Sequence, residues 1–170
     1  MRKLTAVLVM VLSFQSVHGH SYAAAGGFAQ AIQNGLLANF DCLSIYAAED
    51  GDLKLSNSSG DELKDAVLVA LKSKIPGLKV NESCGNAILL AVSGLQVKTA
   101  GGAGTGYVMH VELEIQRPAS LLNGEAVPGS VFHASSLNYG PMDKLRGTIF
   151  EEIEDLVRTF AAAYYKAGNK

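Results

Sequence analysis

The stretch that decides the fold is Tyr107–Gln116, YVMHVELEIQ, in which apolar and polar side chains alternate. Because successive residues of a strand point to opposite faces, its apolar side chains share one face. The other face carries Val108 and four polar side chains, those of His110, Glu112, Glu114 and Gln116. This pattern is typical of an antiparallel strand with one buried and one solvated face.

Three apolar segments are predicted to be further strands, because each is short and bounded by polar or turn-forming residues. They are Leu43–Ala48, Ala87–Lys98 and Val131–Tyr139. In Ala87–Lys98, the apolar positions change parity at Ser93-Gly94, so we expect a glycine bulge there. We also expect Arg117-Pro118 to end regular strand pairing and Asn123-Gly124 to form a hairpin turn.

Two amphipathic helices are predicted from apolar residues spaced three or four apart. The first spans about 61–74 and ends at Pro76-Gly77, and the second begins near Pro141 and runs past Tyr164. The element order β-α-β-β-β-α predicts an α+β fold. We expect a two-layer α/β sandwich, in which a mostly antiparallel four-stranded sheet has both helices on one face.

The N-terminus has the pattern of a cleaved secretory signal peptide over residues 1–25. Basic Arg2 and Lys3 precede the apolar run Leu4–Leu12, and small residues follow at Ser21 and Ala23–Ala25. Residues 26–41 are predicted to form a mobile N-terminal arm, and 42–170 a single domain. No Cys follows the apolar run directly, so we expect a periplasmic or secreted protein without a lipid anchor or a later transmembrane segment.

The charge balance argues against two kinds of partner. The chain has 14 basic and 16 acidic residues, and removal of Arg2 and Lys3 would leave a net charge of about −4. Nucleic acids and anionic membrane surfaces both attract proteins through an excess of Lys and Arg. We therefore expect no nucleic-acid partner; the export signal favours a protein partner of the cell envelope instead.

The chain has two cysteines, Cys42 and Cys84. In an oxidising compartment an even number of cysteines suggests a disulfide, and two buried free thiols are the alternative. The two do not form a Cys-x-x-Cys motif, so a redox enzyme is not indicated.

Few residues of this chain suggest catalysis or metal binding. His110, His133 and Glu112 lie on neighbouring predicted strands, but no short-spaced His pair supports a metal site. Glu112 and Glu114 share a solvated face, where they are not expected to divide acid and base roles. Ser135-Ser136 lacks the Gly-x-Ser-x-Gly elbow of many hydrolases. We therefore expect no cofactor, no metal and no enzymatic activity.

The part of the chain from about Asp61 onward resembles small exported bacterial proteins of uncharacterised function. The resemblance rests on an order of elements and on the spacing Phe160-x-x-x-Tyr164, and carries over no functional residue. More distantly, this order is similar to that of auxiliary lipoproteins of envelope transport systems and of the N-terminal domain of the Tol-system propeller protein. The pieces that match the small exported proteins are Leu63–Ile75, Ile88–Val97, Tyr107–Pro118, Val131–Tyr139 and Ile149–Tyr165.

These observations predict a non-enzymatic periplasmic binding or envelope-assembly factor that engages a protein partner. Its partner-facing surface is expected to be the polar strand face of His110, Glu112, Glu114 and Gln116, or a strand edge. One alternative is a carrier of a small apolar ligand, held in a cavity lined by residues such as Met109, Leu113 and Phe160. Another is a divergent hydrolase.

Overall fold

The structure is a computed structural model that describes residues 35–51, 59–98 and 104–169. The predicted signal peptide and residues 26–34 of the predicted arm lie outside these ranges. The elements are β1 (Cys42–Gly51), α1 (Ser59–Lys74), β2 (Lys79–Val80), β3 (Ala87–Lys98), β4 (Gly104–Ser120), β5 (Ala126–Pro141), a 3-10 turn (Met142–Lys144) and α2 (Leu145–Lys166).

The sheet has five strands in the order β2-β1-β3-β4-β5. The expected four-stranded, mostly antiparallel sheet is therefore wrong in detail. Strand β1 pairs in parallel with both β2 and β3, and only the β3–β4 and β4–β5 pairs are antiparallel. The reason is the connection through α1, because a strand that returns after a crossover helix runs parallel to the strand before it.

Both helices cover the same face of the sheet, as the amphipathic patterns predict. Leu63 of α1, Leu113 of β4 and Ile153 of α2 are buried in one hydrophobic core. Helix α1 packs against β1, α2 packs against β4 and β5, and the two helices contact each other. The opposite face of the sheet is covered by no other element of the described ranges.

The parity change expected at Ser93-Gly94 is wrong. Strand β3 stays in one register with β4 from Ala87 to Val97, and the shift comes only between Val97 and Lys98. Even-numbered residues of β3 therefore lie on the helix-covered face, and odd-numbered residues lie on the opposite face, from Ala87 to Val97. As a result Leu95 is 63% exposed on the uncovered face instead of buried beneath the helices.

Strand pairing also continues past Arg117-Pro118, where we expected it to end. A register shift between Ile115 and Gln116 is followed by regular pairing as far as Ser120 opposite Ala126. Pro118 lies opposite Pro128, so two residues that lack a backbone N–H face each other. The Asn123-Gly124 turn is confirmed: Gly124 has a φ of 82°, and the Asn123 side chain accepts a hydrogen bond from the Glu125 N–H.

The described end of the predicted arm is packed against the domain. Leu37 and Phe40 are buried in the core. The Arg117 guanidinium donates hydrogen bonds to the carbonyl oxygens of Leu36 and Ala38, both at 3.1 Å, and lies over the Phe40 ring. These contacts fix the entry into β1.

A disulfide joins Cys42, the first residue of β1, to Cys84 in the turn before β3, with a Cα–Cα distance of 5.9 Å. The predicted pairing is thus confirmed. Next to it, the Asn86 side chain donates a hydrogen bond to the Cys42 carbonyl oxygen at 3.2 Å. The covalent link holds the loop before β3 against the start of β1.

Candidate interaction surface

The face of the sheet opposite the helices carries the polar residues that the alternation of β4 predicts to be outside. His110, Glu112, Glu114 and Gln116 are half-buried, each flanked by neighbouring strands. In register, Glu112 lies between Ala91 of β3 and Ser135 of β5. We call this side of the sheet the open face. Open depressions lie near the two ends of this row, one bordered by His110 and the other by Gln116.

One end of the open face is apolar. Leu95, Val108 and Tyr139 lie directly opposite one another on β3, β4 and β5, where they form a row across three strands. Leu137 lies beside this row, opposite His110. The side chains of Leu95, Val108, Leu137 and Tyr139 are respectively 63%, 40%, 73% and 85% exposed, and we call these four residues the apolar patch.

Sequence reasoning missed most of this patch. The bulge expected at Ser93-Gly94 put Leu95 on the wrong face, and Leu137 and Tyr139 of the predicted strand Val131–Tyr139 were assigned to neither face. The missed signal was parity: counted without a bulge, Leu95 lies on the face opposite to that of Leu90 and Val92, which is the open face. Isolated exposed apolar residues are common, but a contiguous group often marks an interaction site.

His133 and Glu112 are brought together on the open face, with 2.9 Å between His133 Nε2 and Glu112 Oε1. The register places His133 directly opposite Glu114, so the bond to Glu112 is a diagonal one. Both side chains remain substantially exposed. Within the described ranges, no three His, Cys, Asp or Glu side chains are grouped so that they could hold a metal ion.

The residues proposed to line a ligand cavity are part of the packed core instead. Met109, Leu113 and Phe160 are fully buried. The ring of Phe160 contacts Phe132 edge-on, with 5.5 Å between ring centroids. Tyr164 is also buried, whereas Tyr165 is exposed, as the spacing of the last helix predicts.

A concave surface of about 410 Å³ lies between α1 and α2 on the outside of the helical layer. Two ion pairs cross between the helices, Arg146 with Glu62 and Lys74 with Glu154. The hydrogen bond from Lys74, at 2.9 Å, together with its positive charge, lowers the pKa of Glu154. The groove is lined by Glu62, Asp65, Ala66, Val69, Ala70, Ser73, Phe150 and Glu154.

Among the residues that the structure describes, no helix has both the length and the apolar content needed to cross a membrane.

Comparison with known proteins finds no matching family model and no matching curated protein. Several solved structures are similar in fold. The PelC dodecamer from Paraburkholderia phytofirmans is 14% identical and has a TM-score of 0.45, with 70% of this chain and 85% of that chain covered. A minor lipoprotein from Acinetobacter baumannii is 11% identical, with a TM-score of 0.37 and coverages of 72% and 91%. Rare lipoprotein B from Shewanella oneidensis is 14% identical, with a TM-score of 0.30 and coverages of 74% and 92%.

Lipoproteins are thus among the structures similar to this chain, at the level of a distant likeness. The resemblance to the Tol-system propeller protein stays a prediction.

Proposed function

We propose that this protein is a non-enzymatic binding or assembly factor of the periplasm that engages an envelope protein through the open face of its sheet. The observation that carries the proposal is the apolar patch. Its side chains lie on three adjacent strands, so they form one continuous surface that no element of the described ranges covers.

The patch has the features of the centre of a protein interface. Full burial of a Leu or Val side chain contributes on the order of 1.5–3 kcal/mol, and tyrosine is enriched among residues that dominate binding energy. Leu137 and Tyr139 are the most exposed members and would gain most from burial. Four such residues supply a large part of the affinity of a specific complex.

The remainder of the open face supplies a polar rim. Glu112 and Glu114 follow Val108 along β4 on the same side of the sheet. A partner that places apolar side chains on the patch would therefore need neutral or basic groups beyond it, because an acidic group near Glu114 would be repelled.

The proposal is tested by site-specific photo-crosslinking in cells. A photoreactive residue at Leu95 is expected to give a discrete adduct with a second protein of the envelope. The matched control is Leu122, which is equally apolar and fully exposed but lies in the turn between β4 and β5. If Leu95 gives no adduct, or the same adducts as Leu122, the proposed role of the patch is wrong.

A further inference from the structure

Strand β5 forms one edge of the sheet, because β4 is its only neighbour among the strands described. Every second residue of an edge strand points its N–H and C=O away from the sheet, and these groups can pair with another strand. The edge is long, since β5 runs from Ala126 to Pro141.

β5 lacks one of the features by which edge strands usually prevent such pairing, a charged side chain, and its bulge at Val131 lies near one end of the strand. It contains no Asp, Glu, Lys or Arg. Charged side chains, especially Lys, are a common protection of sheet edges. Its prolines, Pro128 and Pro141, stand near the two ends, so every residue of 129–140 that points its N–H away from β4 has an N–H to donate.

We infer that β5 pairs with β5 of a second copy of this chain, antiparallel about a two-fold axis, so that two five-stranded sheets become one continuous sheet. This inference does not rest on the proposed function, because it is argued from the backbone edge of β5, although Leu137 and Tyr139 of the apolar patch lie on the same strand.

A second copy is favoured as the occupant because β5 is self-complementary. Antiparallel pairing about a two-fold axis sets residues near the axis opposite their own equivalents, where like charges would repel. β5 brings no fixed charge to that position. Its one titratable histidine, His133, is bonded to Glu112 of its own copy. Pro128 and Pro141 flank residues 129–140 at both ends. The same segment is therefore free to pair when the strand of the second copy runs in the opposite direction.

The area of this edge suits a stable dimer. Residues 129–140 span about 40 Å when extended. Helix α2 packs against β5, so the helical layer also reaches this side of the molecule. The sheet and the helical layer are together about 20 Å thick. The length of the segment multiplied by this thickness is about 800 Å² for each copy, which is the standard size of one side of a specific protein interface.

The test compares two lysine substitutions at positions on either side of Glu112 in the sheet. Ser135 on β5 and Ala91 on β3 are both exposed on the open face, and both lie directly opposite Glu112. Ser135→Lys puts a positive charge on the edge near the two-fold axis, whereas Ala91→Lys puts the same charge two strands away. Analytical ultracentrifugation from micromolar to millimolar concentration measures the mass.

The unmodified protein and Ala91→Lys are expected to sediment as dimers, and Ser135→Lys to raise the dimer dissociation constant about two- to fivefold. A monomeric unmodified protein, or equal behaviour of the two variants, would overturn the inference.

Hydrogen exchange of the unmodified protein gives a second test that needs no variant. Backbone amides between Ser130 and Tyr139 that point away from β4 should exchange slowly in the dimer and quickly after dilution. Exchange that is independent of concentration would show that no second copy protects this edge, and would contradict the inference. Crosslinking through Leu95 tests the apolar patch separately, so the two proposals can fail independently.

Discussion

The Tyr164 hydroxyl donates a hydrogen bond to the carbonyl oxygen of Phe40, 3.1 Å away, and the bond is buried. It joins the last helix to the segment that enters β1, across almost the whole described length of the chain. Asn169 supports the same junction: its side chain accepts from the Phe40 N–H and donates to the Leu37 carbonyl oxygen. The start of the domain is therefore held by residues near its end.

Tyr164→Phe is expected to lower the free energy of unfolding by about 1–2 kcal/mol, because the buried Phe40 carbonyl loses its partner. The control is Tyr165→Phe, which removes a hydroxyl bonded to the Lys74 carbonyl oxygen at an exposed site. There water replaces the lost bond, so a change below about 0.5 kcal/mol is expected. Urea denaturation measures both, and equal losses would contradict the burial argument.

Stability should also fall at alkaline pH because of Tyr164. Burial raises the pKa of its hydroxyl above the ordinary value. Above about pH 10 the unfolded chain releases this proton while the folded chain retains it, so unfolding becomes more favourable as pH rises. In Tyr164→Phe this contribution is absent. Urea denaturation from neutral to alkaline pH should give a shallower decline for the variant, and parallel curves would refute the assignment.

Ser136→Ala is expected to leave stability unchanged or raise it by up to about 1 kcal/mol. The Ser136 hydroxyl is buried on the helix side of β5, with no hydrogen-bond partner among the residues described, so its removal eliminates a desolvation cost. The control is Ser44→Ala, because the hydroxyl of buried Ser44 donates to the Asn86 carbonyl oxygen at 3.0 Å. That variant should lose about 1 kcal/mol. Thermal unfolding of both separates the two cases, and a larger loss for Ser136→Ala would oppose the prediction.

Reduction of the Cys42–Cys84 disulfide is expected to lower the free energy of unfolding by about 2–4 kcal/mol, because the cross-link restricts the unfolded chain over a separation of 42 residues. Urea denaturation with and without reductant measures the loss. The double variant Cys42→Ala, Cys84→Ala should show a similar loss and no further response to reductant. An unchanged midpoint on reduction would mean that the link adds no stability.

Leucines on the two faces of the sheet should respond differently to truncation. Leu113→Ala removes a fully buried side chain and should cost about 2–5 kcal/mol. Leu137→Ala, on the open face, should change stability by no more than about 0.5 kcal/mol. Denaturation is best measured at the lowest practicable concentration, where association contributes least. A large loss for Leu137→Ala in a monomer would show that this face is covered within the chain.

Much of the fold could be predicted because local patterns report burial directly. The alternation of Tyr107–Gln116 and the spacing of the last helix both identified the correct buried side chains, and the even cysteine count identified the pair that is bonded. Strand direction was harder, because the parallel pairing of β1 with β3 depends on where a crossover helix returns the chain. The two-residue strand β2 is too short to have a period of its own.

The candidate surface was predictable only in part, for a related reason. The polar side chains of β4 could be assigned to the open face from one strand alone. The apolar patch could not, since Leu95, Val108 and Tyr139 are far apart in sequence and become neighbours only through the register of three strands. A single assumed bulge in β3 was enough to move Leu95 to the wrong face, because a shift of one residue reverses every side chain of a strand.

The sequence by itself determined the layers of this protein: which residues prefer helix or strand, which face of each is apolar, and which two sulfur atoms are available to join. These are properties of neighbouring residues, set by side-chain period and chemistry. Only the tertiary structure decided that β5 ends the sheet and that four exposed apolar side chains meet beside it. Strand order and register are long-range pairings, and no local pattern contains them.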